Sequence, residues 1–252
     1  MSDATSRAFV VGEGDRGTPA SIWRAWRPEL PELQCDHWSR VVVIAAHPDD
    51  DVLGVGALLA RLAAGGTEVV SVQLTDGTAA YPGSPSITPG ELGRVRVAEA
   101  RTAYVRLGLS LPLRCELPDG RLFEHEDEIV ERLRPLARPG DRWLAPWRHD
   151  RHPDHEAAGR AAARVCAEAA DAELWEYPVW MWHWAHPTDN GVGWDSAYLH
   201  RLTPTQRHHK RRAAQAFRSQ LEARSEDPAD APVVPPFAFE RLVSPRELLF
   251  RG

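Results

Sequence analysis

The 252-residue sequence predicts one α/β domain of the doubly wound type, a mostly parallel sheet covered by helices. Three observations point there. Val41-Val42-Val43-Ile44-Ala45-Ala46 is a continuous apolar run, the mark of a strand buried on both faces. Val52 to Ala64 carries apolar residues at helical spacing and stops at Gly65-Gly66. Val69 to Leu74 is a second apolar run closed by Asp76-Gly77, so strand, helix and strand follow within about thirty-five residues, the size of a βαβ unit.

The remaining elements fall in order around this unit. Residues 1–39 are irregular, with Pro19, Pro28 and Pro31 around Trp23 and Trp26, and read as an N-terminal arm packed on a core that spans residues 40–252. Ala79 to Gly90 is rich in proline and glycine and reads as a loop; Leu92 to Leu107 is a helix closed by Gly108. Ile129 to Ala137 predicts a helix, Trp143-Leu144-Ala145 a short strand, and Glu156 to Ala170 an alanine-rich helix. Leu174 to Trp184 reads as a strand, with Trp180, Trp182 and Trp184 on one face and Trp175, Tyr177 and Met181 on the other. Those rings are read mainly as core, with one or two free to line a substrate cleft. Gln206 to Ala223 predicts a helix whose His208, His209 and Lys210 face solvent, and Leu242 to Phe250 a last strand or short helix.

Composition excludes several functions. Hydrophobic residues make up 43% and net charge is −6 with both signs interleaved, which argues against nucleic-acid or anionic-membrane partners. Cys35, Cys115 and Cys166 are widely spaced, so reduced thiols are expected rather than a disulfide framework. Neither a signal peptide in Met1 to Gly17 nor a membrane span is read, and a cytoplasmic protein is expected. Arginine far outnumbers lysine, which suggests a GC-rich bacterial gene. Oligomeric state is left open, a homo-oligomer included.

Chemistry concentrates in two stretches. His47-Pro48-Asp49-Asp50-Asp51 lies at the carboxyl end of the first strand, the edge where open α/β sheets bind ligands. So many ionisable groups cannot be buried without a partner, and a divalent cation is the natural one. His149-Asp150-Arg151-His152-Pro153-Asp154-His155 follows the strand at Trp143 and opens a helix. A plain N-cap role for Asp49 or Asp154 explains either stretch alone but accounts poorly for two His-Pro-Asp turns at two strand ends. Two histidines and a carboxylate with an open position form a catalytic zinc pattern, shared with non-haem iron(II) oxygenases.

Ala46-His47-Pro48-Asp49-Asp50 with His152-Pro153-Asp154-His155 about a hundred residues later resembles the LmbE-like (PIG-L) zinc deacetylases. Thr75-Asp76-Gly77, Arg96 and Glu99 before Leu107-Gly108, Leu117-Pro118-Asp119-Gly120, and the late pair Lys210 and Gln220 extend the likeness over roughly residues 40 to 222. The resemblance implies a Rossmann-like fold and removal of an N-acetyl group from an acetamido-sugar small molecule or glycoconjugate. It implies one zinc ion per chain on His47, Asp50 and His155, with Asp49 as general base. It makes His152 the oxyanion stabiliser or acid, and Arg96 and Asp119 the sugar contacts. Asp51 and Thr78 stand where the family usually has glutamate. Two alternatives stay open: an amidase of the same superfamily cleaving a thiol conjugate, and a non-catalytic metal-binding module. Gly54-Val55-Gly56 lacks the third glycine of a dinucleotide fingerprint and reads as helix packing.

Overall fold

A computed structural model describes residues 14–252; the start of the arm, and most of the stretch searched for a signal peptide, lie outside the described residues. The chain runs α1 (Ala20–Ala25), β1 (Arg40–Ala45), α2 (Asp50–Ala64), β2 (Glu68–Thr75), α3 (Pro89–Leu107), β3 (Leu113–Leu117), α4 (Glu126–Leu133) and β4 (Arg142–Pro146). It continues through α5 (Pro153–Glu168), β5 (Glu173–Tyr177), α6 (Met181–Trp184), β6 (Ala197–Arg201), α7 (Pro204–Ala214), α8 (Arg218–Leu221), α9 (Pro236–Leu242) and β7 (Arg246–Arg251).

The strands form one seven-stranded sheet in the order β3-β2-β1-β4-β5-β7-β6. The first five are parallel; β7 pairs antiparallel with both β5 and β6. Strand order reverses beside β1, whose neighbours are β2 and β4, so the carboxyl ends of β1 and β4 flank the switch-point crevice. All six residues of β1 are buried, and the reason is layering. Val41 and Val43 enter a core shared with α2, α3 and α7, while Val42 and Ile44 enter a second core with α4 and α5. Covered on both faces, the strand has no polar side, hence its unbroken apolar run.

Several boundaries moved, each for a local reason. The third helix begins at Pro89 because Thr88 and Glu91 form a reciprocal capping box: Glu91 N–H donates to Thr88 Oγ1 at 3.3 Å and Thr88 N–H to Glu91 Oε2 at 3.0 Å. The helix expected over 206–223 ends at Ala214 and resumes briefly as α8. His208 and His209 are exposed as expected, but Lys210 is buried. The strand expected over 174–184 stops at Tyr177: Pro178 follows, and Val179 to Met181 turn their amides elsewhere. Trp180 and Trp182 are therefore core residues of the turn and of the short helix α6 that follows it, and Trp184 is half-buried.

The described part of the arm packs through its aromatics. Trp23 donates Nε1–H to the Trp182 carbonyl at 2.8 Å and meets its ring edge-on at 5.0 Å. Pro31 and Leu33 exchange backbone bonds with Leu199 on the outer strand β6. Among the described residues no helix is long and apolar enough to cross a membrane.

Candidate metal centre

The two His-Pro-Asp turns meet in the crevice between β1 and β4. β2 holds the first turn from behind: Thr75 donates both its backbone N–H, at 3.1 Å, and its Oγ1–H, at 2.9 Å, to the Ala46 carbonyl, and Gln73 Nε2 donates to the Pro48 carbonyl at 3.2 Å. Asp50 opens α2, and its Oδ2 accepts the His47 backbone N–H at 2.7 Å. The second turn places His152 at the N-cap of α5, where its Nδ1 accepts the Asp154 N–H at 3.2 Å. His155 then lies within the first turn of α5, fully buried.

Asp50 bridges the two histidines. Its Oδ2 is 3.2 Å from His47 Nδ1 and its Oδ1 is 3.2 Å from His155 Nε2. Each histidine has its other nitrogen against a carboxylate. His155 Nδ1 is 2.7 Å from Asp150 Oδ2, and His47 Nε2 is 3.1 Å from Asp119 Oδ1 and 3.3 Å from Asp154 Oδ2. His155 Nε2 is buried, and its 3.2 Å contact with Asp50 Oδ1 is not aligned as a hydrogen bond. A metal-binding histidine has this arrangement: one nitrogen fixed by a carboxylate, the other presented to the ion. The rings of His47, His152 and His155 gather within 4.4 to 5.4 Å of one another, and their nitrogens could hold one ion. His47, Asp119 and Asp154 form a second such group, on the far nitrogen of His47.

The electrostatics call for a cation. Asp49, Asp50, Asp51, Asp150 and Asp154 are all buried. Burial alone would raise the Asp50 carboxyl, but His155 and His47 outweigh it and hold it well below the usual carboxylate range. Burial alone would lower His155; Asp50 and Asp150 reverse this and lift it to about 9. His47 is likewise raised by Asp50 and Asp119 against its burial. Histidines pulled toward the charged state by surrounding carboxylates mark a place where positive charge is stabilised, and a divalent ion would supply it. His152 goes the other way: burial and the neighbouring His155 and His47 push it well below its ordinary value.

Asp49 is not turned to the helix it precedes. It makes no side-chain cap; its Oδ1 takes Arg96 Nη2 at 2.7 Å. Arg96 is buried and also donates Nη1–H to the Gly77 carbonyl at 3.0 Å, so the guanidinium expected at the sugar is engaged by protein acceptors. Gly77 has φ +67°, and a Cβ there would stand 2.1 Å from Arg96 Nη1; only glycine lets the guanidinium pass. Asp119 accepts the Ala79 N–H at 2.6 Å besides facing His47. Asp51 is held by the Tyr104 hydroxyl, and burial raises its carboxyl to about 7.

Asp150 is the residue that reading the motifs missed. Its Oδ1 accepts Met181 N–H at 2.7 Å and its Oδ2 accepts Trp180 N–H at 2.8 Å, with Val179 N–H 3.2 Å from both. The signal was present: an aspartate just before the histidine pair is where a carboxylate supporting a metal-binding imidazole would be sought.

A description of GlcNAc-PI de-N-acetylases, PIG-L, matches residues 42–166, the stretch that holds both His-Pro-Asp turns. Across 149 residues the chain is 30% identical to the uncharacterized deacetylase YaiS of Escherichia coli K12, covering 56% of this chain and 76% of YaiS. The chain belongs to the PIG-L family. Diacetylchitobiose deacetylase of Thermococcus kodakarensis is 32% identical over 128 residues, 48% of this PIG-L chain and 46% of its own length. Among solved structures, N,N'-diacetylchitobiose deacetylase from Pyrococcus horikoshii superposes with a TM-score of 0.60 at 23% identity, over 75% of this chain and 73% of that one, which supports the fold. The match to the PIG-L description stops inside α5, so β5 to β7 and α6 to α9 lie outside it.

Proposed function

We propose that this PIG-L protein is a zinc-dependent amide hydrolase that removes the N-acetyl group from an acetamido sugar, free or in a glycoconjugate. The observation that carries the reading is buried His155, with Nδ1 fixed by Asp150 and Nε2 directed at the Asp50 carboxylate that also faces His47. His47, Asp50 and His155 would hold the ion, which when bound supplies Lewis acidity toward the amide carbonyl and lowers the pKa of water.

The chain's own residues account for the rest. Arg96 holds Asp49 by Oδ1, leaving Oδ2 to take a proton from the attacking water and pass it to the departing amine. Because His152 Nδ1 is an acceptor, the neutral ring carries its proton on Nε2, ready to donate to the oxyanion without being charged. Asp119, beside His47, is the carboxylate for a sugar hydroxyl. Beside the segment that leads into the second turn lies a bay of about 610 Å³ lined by Trp147, His149, Arg151, Trp184 and Asp189 among others, with the Arg151 guanidinium 3.8 Å from the Trp184 ring centre. Its mixed charged and aromatic lining suits the remainder of a larger substrate.

The deciding experiment measures zinc by elemental analysis and then amine release from a panel of N-acetyl sugars, including N-acetylglucosamine and diacetylchitobiose. About one zinc per chain and chelator-sensitive, zinc-restored deacetylation are expected. Full activity after complete metal removal would overturn the reading, and cleavage of thiol-conjugate amides alone would transfer it to the amidase.

A further inference from the structure

Helix α2 is broken. Val55 has φ −133° and ψ 19°, outside the helical range, and separates a single first turn, Asp50–Gly54, from the longer body that follows. A break of this kind leaves carbonyls of the first piece and N–H groups of the second without intrahelical partners. Here both sets are buried.

Three side chains from the end of the sequence meet the break. Glu247 on β7 accepts the Ala57 N–H at Oε1 (2.9 Å) and the Leu58 N–H at Oε2 (2.8 Å). Lys210 on α7 donates Nζ–H to the Gly54 carbonyl at 3.1 Å and pairs with Glu247 Oε1 at 2.8 Å. His200 on β6 places Nδ1 3.0 Å from Glu247 Oε2. Lys210, Glu247 and His200 are each 2% exposed or less. The anion lies at the N-terminus of the second piece and the cation at the last carbonyl of the first, so each charge opposes the helix dipole it faces. Gly54 is pressed on β5: a Cβ there would stand 2.3 Å from the Tyr177 ring.

We infer that Glu247 and Lys210 are positioning residues for the metal centre: they fix the break in α2 and so aim Asp50 between His47 and His155. The inference rests on the metal reading above. A single helical turn has little stability of its own. Asp50 and Asp51 ride on that turn, whose near end is tied by Asp50 to the His47 N–H and whose far end is tied by Lys210. Glutamine at 247 offers one acceptor oxygen and no charge, so one of the two amides loses its acceptor and Lys210 its counter-charge.

The test titrates metal-free protein with zinc against a competing chelator and records melting temperature for wild type, Glu247→Gln and Lys210→Met. Asp141→Asn serves as a stability control, because Asp141 pairs with Arg40 at the amino end of β1, away from the turns. Zinc affinity should fall about tenfold or more in both α2 variants, the range for groups that orient metal ligands. Asp141→Asn should keep wild-type affinity at a comparable loss of melting temperature. Faster amide exchange at Ala57 and Leu58 should accompany the loss in Glu247→Gln; if that variant does not fold, Lys210→Met carries the same comparison. Wild-type zinc affinity in the folded variants, or a loss no greater than in Asp141→Asn, overturns the inference while the wild type's own zinc leaves the metal reading standing.

Discussion

The turns at His47 and His152 share the triplet His-Pro-Asp and the same edge of the sheet, yet they hand out its parts differently. In the first, the helix starts at Asp50, so His47 stands before the N-cap and faces the first helical carboxylate. In the second, the helix starts at Pro153, so the histidine is itself the cap and its Nδ1 is occupied by the Asp154 N–H. In the proposed centre the imidazole presented to the ion is then the one three residues on, His155. The aspartates diverge as well. Asp49 leaves its helix for Arg96, while Asp154 is fully buried and accepts Gly120 N–H at 2.7 Å and Leu122 N–H at 2.9 Å. On the proposed assignment, a shift of two positions in where the helix begins gives one triplet a ligand with a base and the other an oxyanion donor with a scaffold.

The largest expected effect separates the two histidines of the second turn. His155→Ala should lose zinc and all measurable deacetylation, whereas His152→Ala should keep zinc and lose ~10²–10³ in kcat, the cost of one oxyanion donor. Zinc loss in His152→Ala with retention in His155→Ala would exchange their parts. Next comes the aspartate of the first turn. Asn at 49 keeps the bond to Arg96 but cannot accept a proton, so Asp49→Asn should hold zinc and substrate while kcat falls by ~10²–10⁴. Were zinc to leave instead, Asp49 and Asp50 would trade roles. The smallest effect belongs to the aspartate of the second turn: Asp154→Asn leaves every proposed ligand in place but weakens the support behind His47, and zinc affinity should drop by ~10–100-fold with kcat at saturating zinc nearly unchanged.

What could be read from the sequence follows where each constraint is stored. β1 and β2 are legible because helices on both sides make them apolar throughout. Edge strand β3 is mostly exposed, with Leu113 at 51%, and offers no such run; β6 is a short outer strand that joins the sheet through β7 and is bridged on its other side by the arm at Glu32. Convergence of the two turns was legible from their place at strand ends. The division of labour was not, since it depends on which residue caps each helix. Arg96 shows the same limit: its spacing marks it as part of the site, but only the fold reveals that it grips Asp49. The break at Val55 is invisible locally, because its partners Lys210 and Glu247 are encoded far downstream. The end of β5 is a nearer miss, where Pro178 argued against a strand through Trp184.

Asp150 joins two things usually counted separately. One carboxylate orients His155 and also caps three successive amides of the turn from Val179 to Met181, and its backbone carbonyl accepts Trp184 Nε1–H at 3.0 Å. The local opening equilibrium of this turn is therefore coupled to the orientation of His155. Any ion that favours the ordered His155 must, by linkage, deepen the well in which the turn sits. A substrate that steadied Trp184 would draw on the same well, coupling the wall of the bay to the proposed metal centre across the carboxyl ends of β4 and β5.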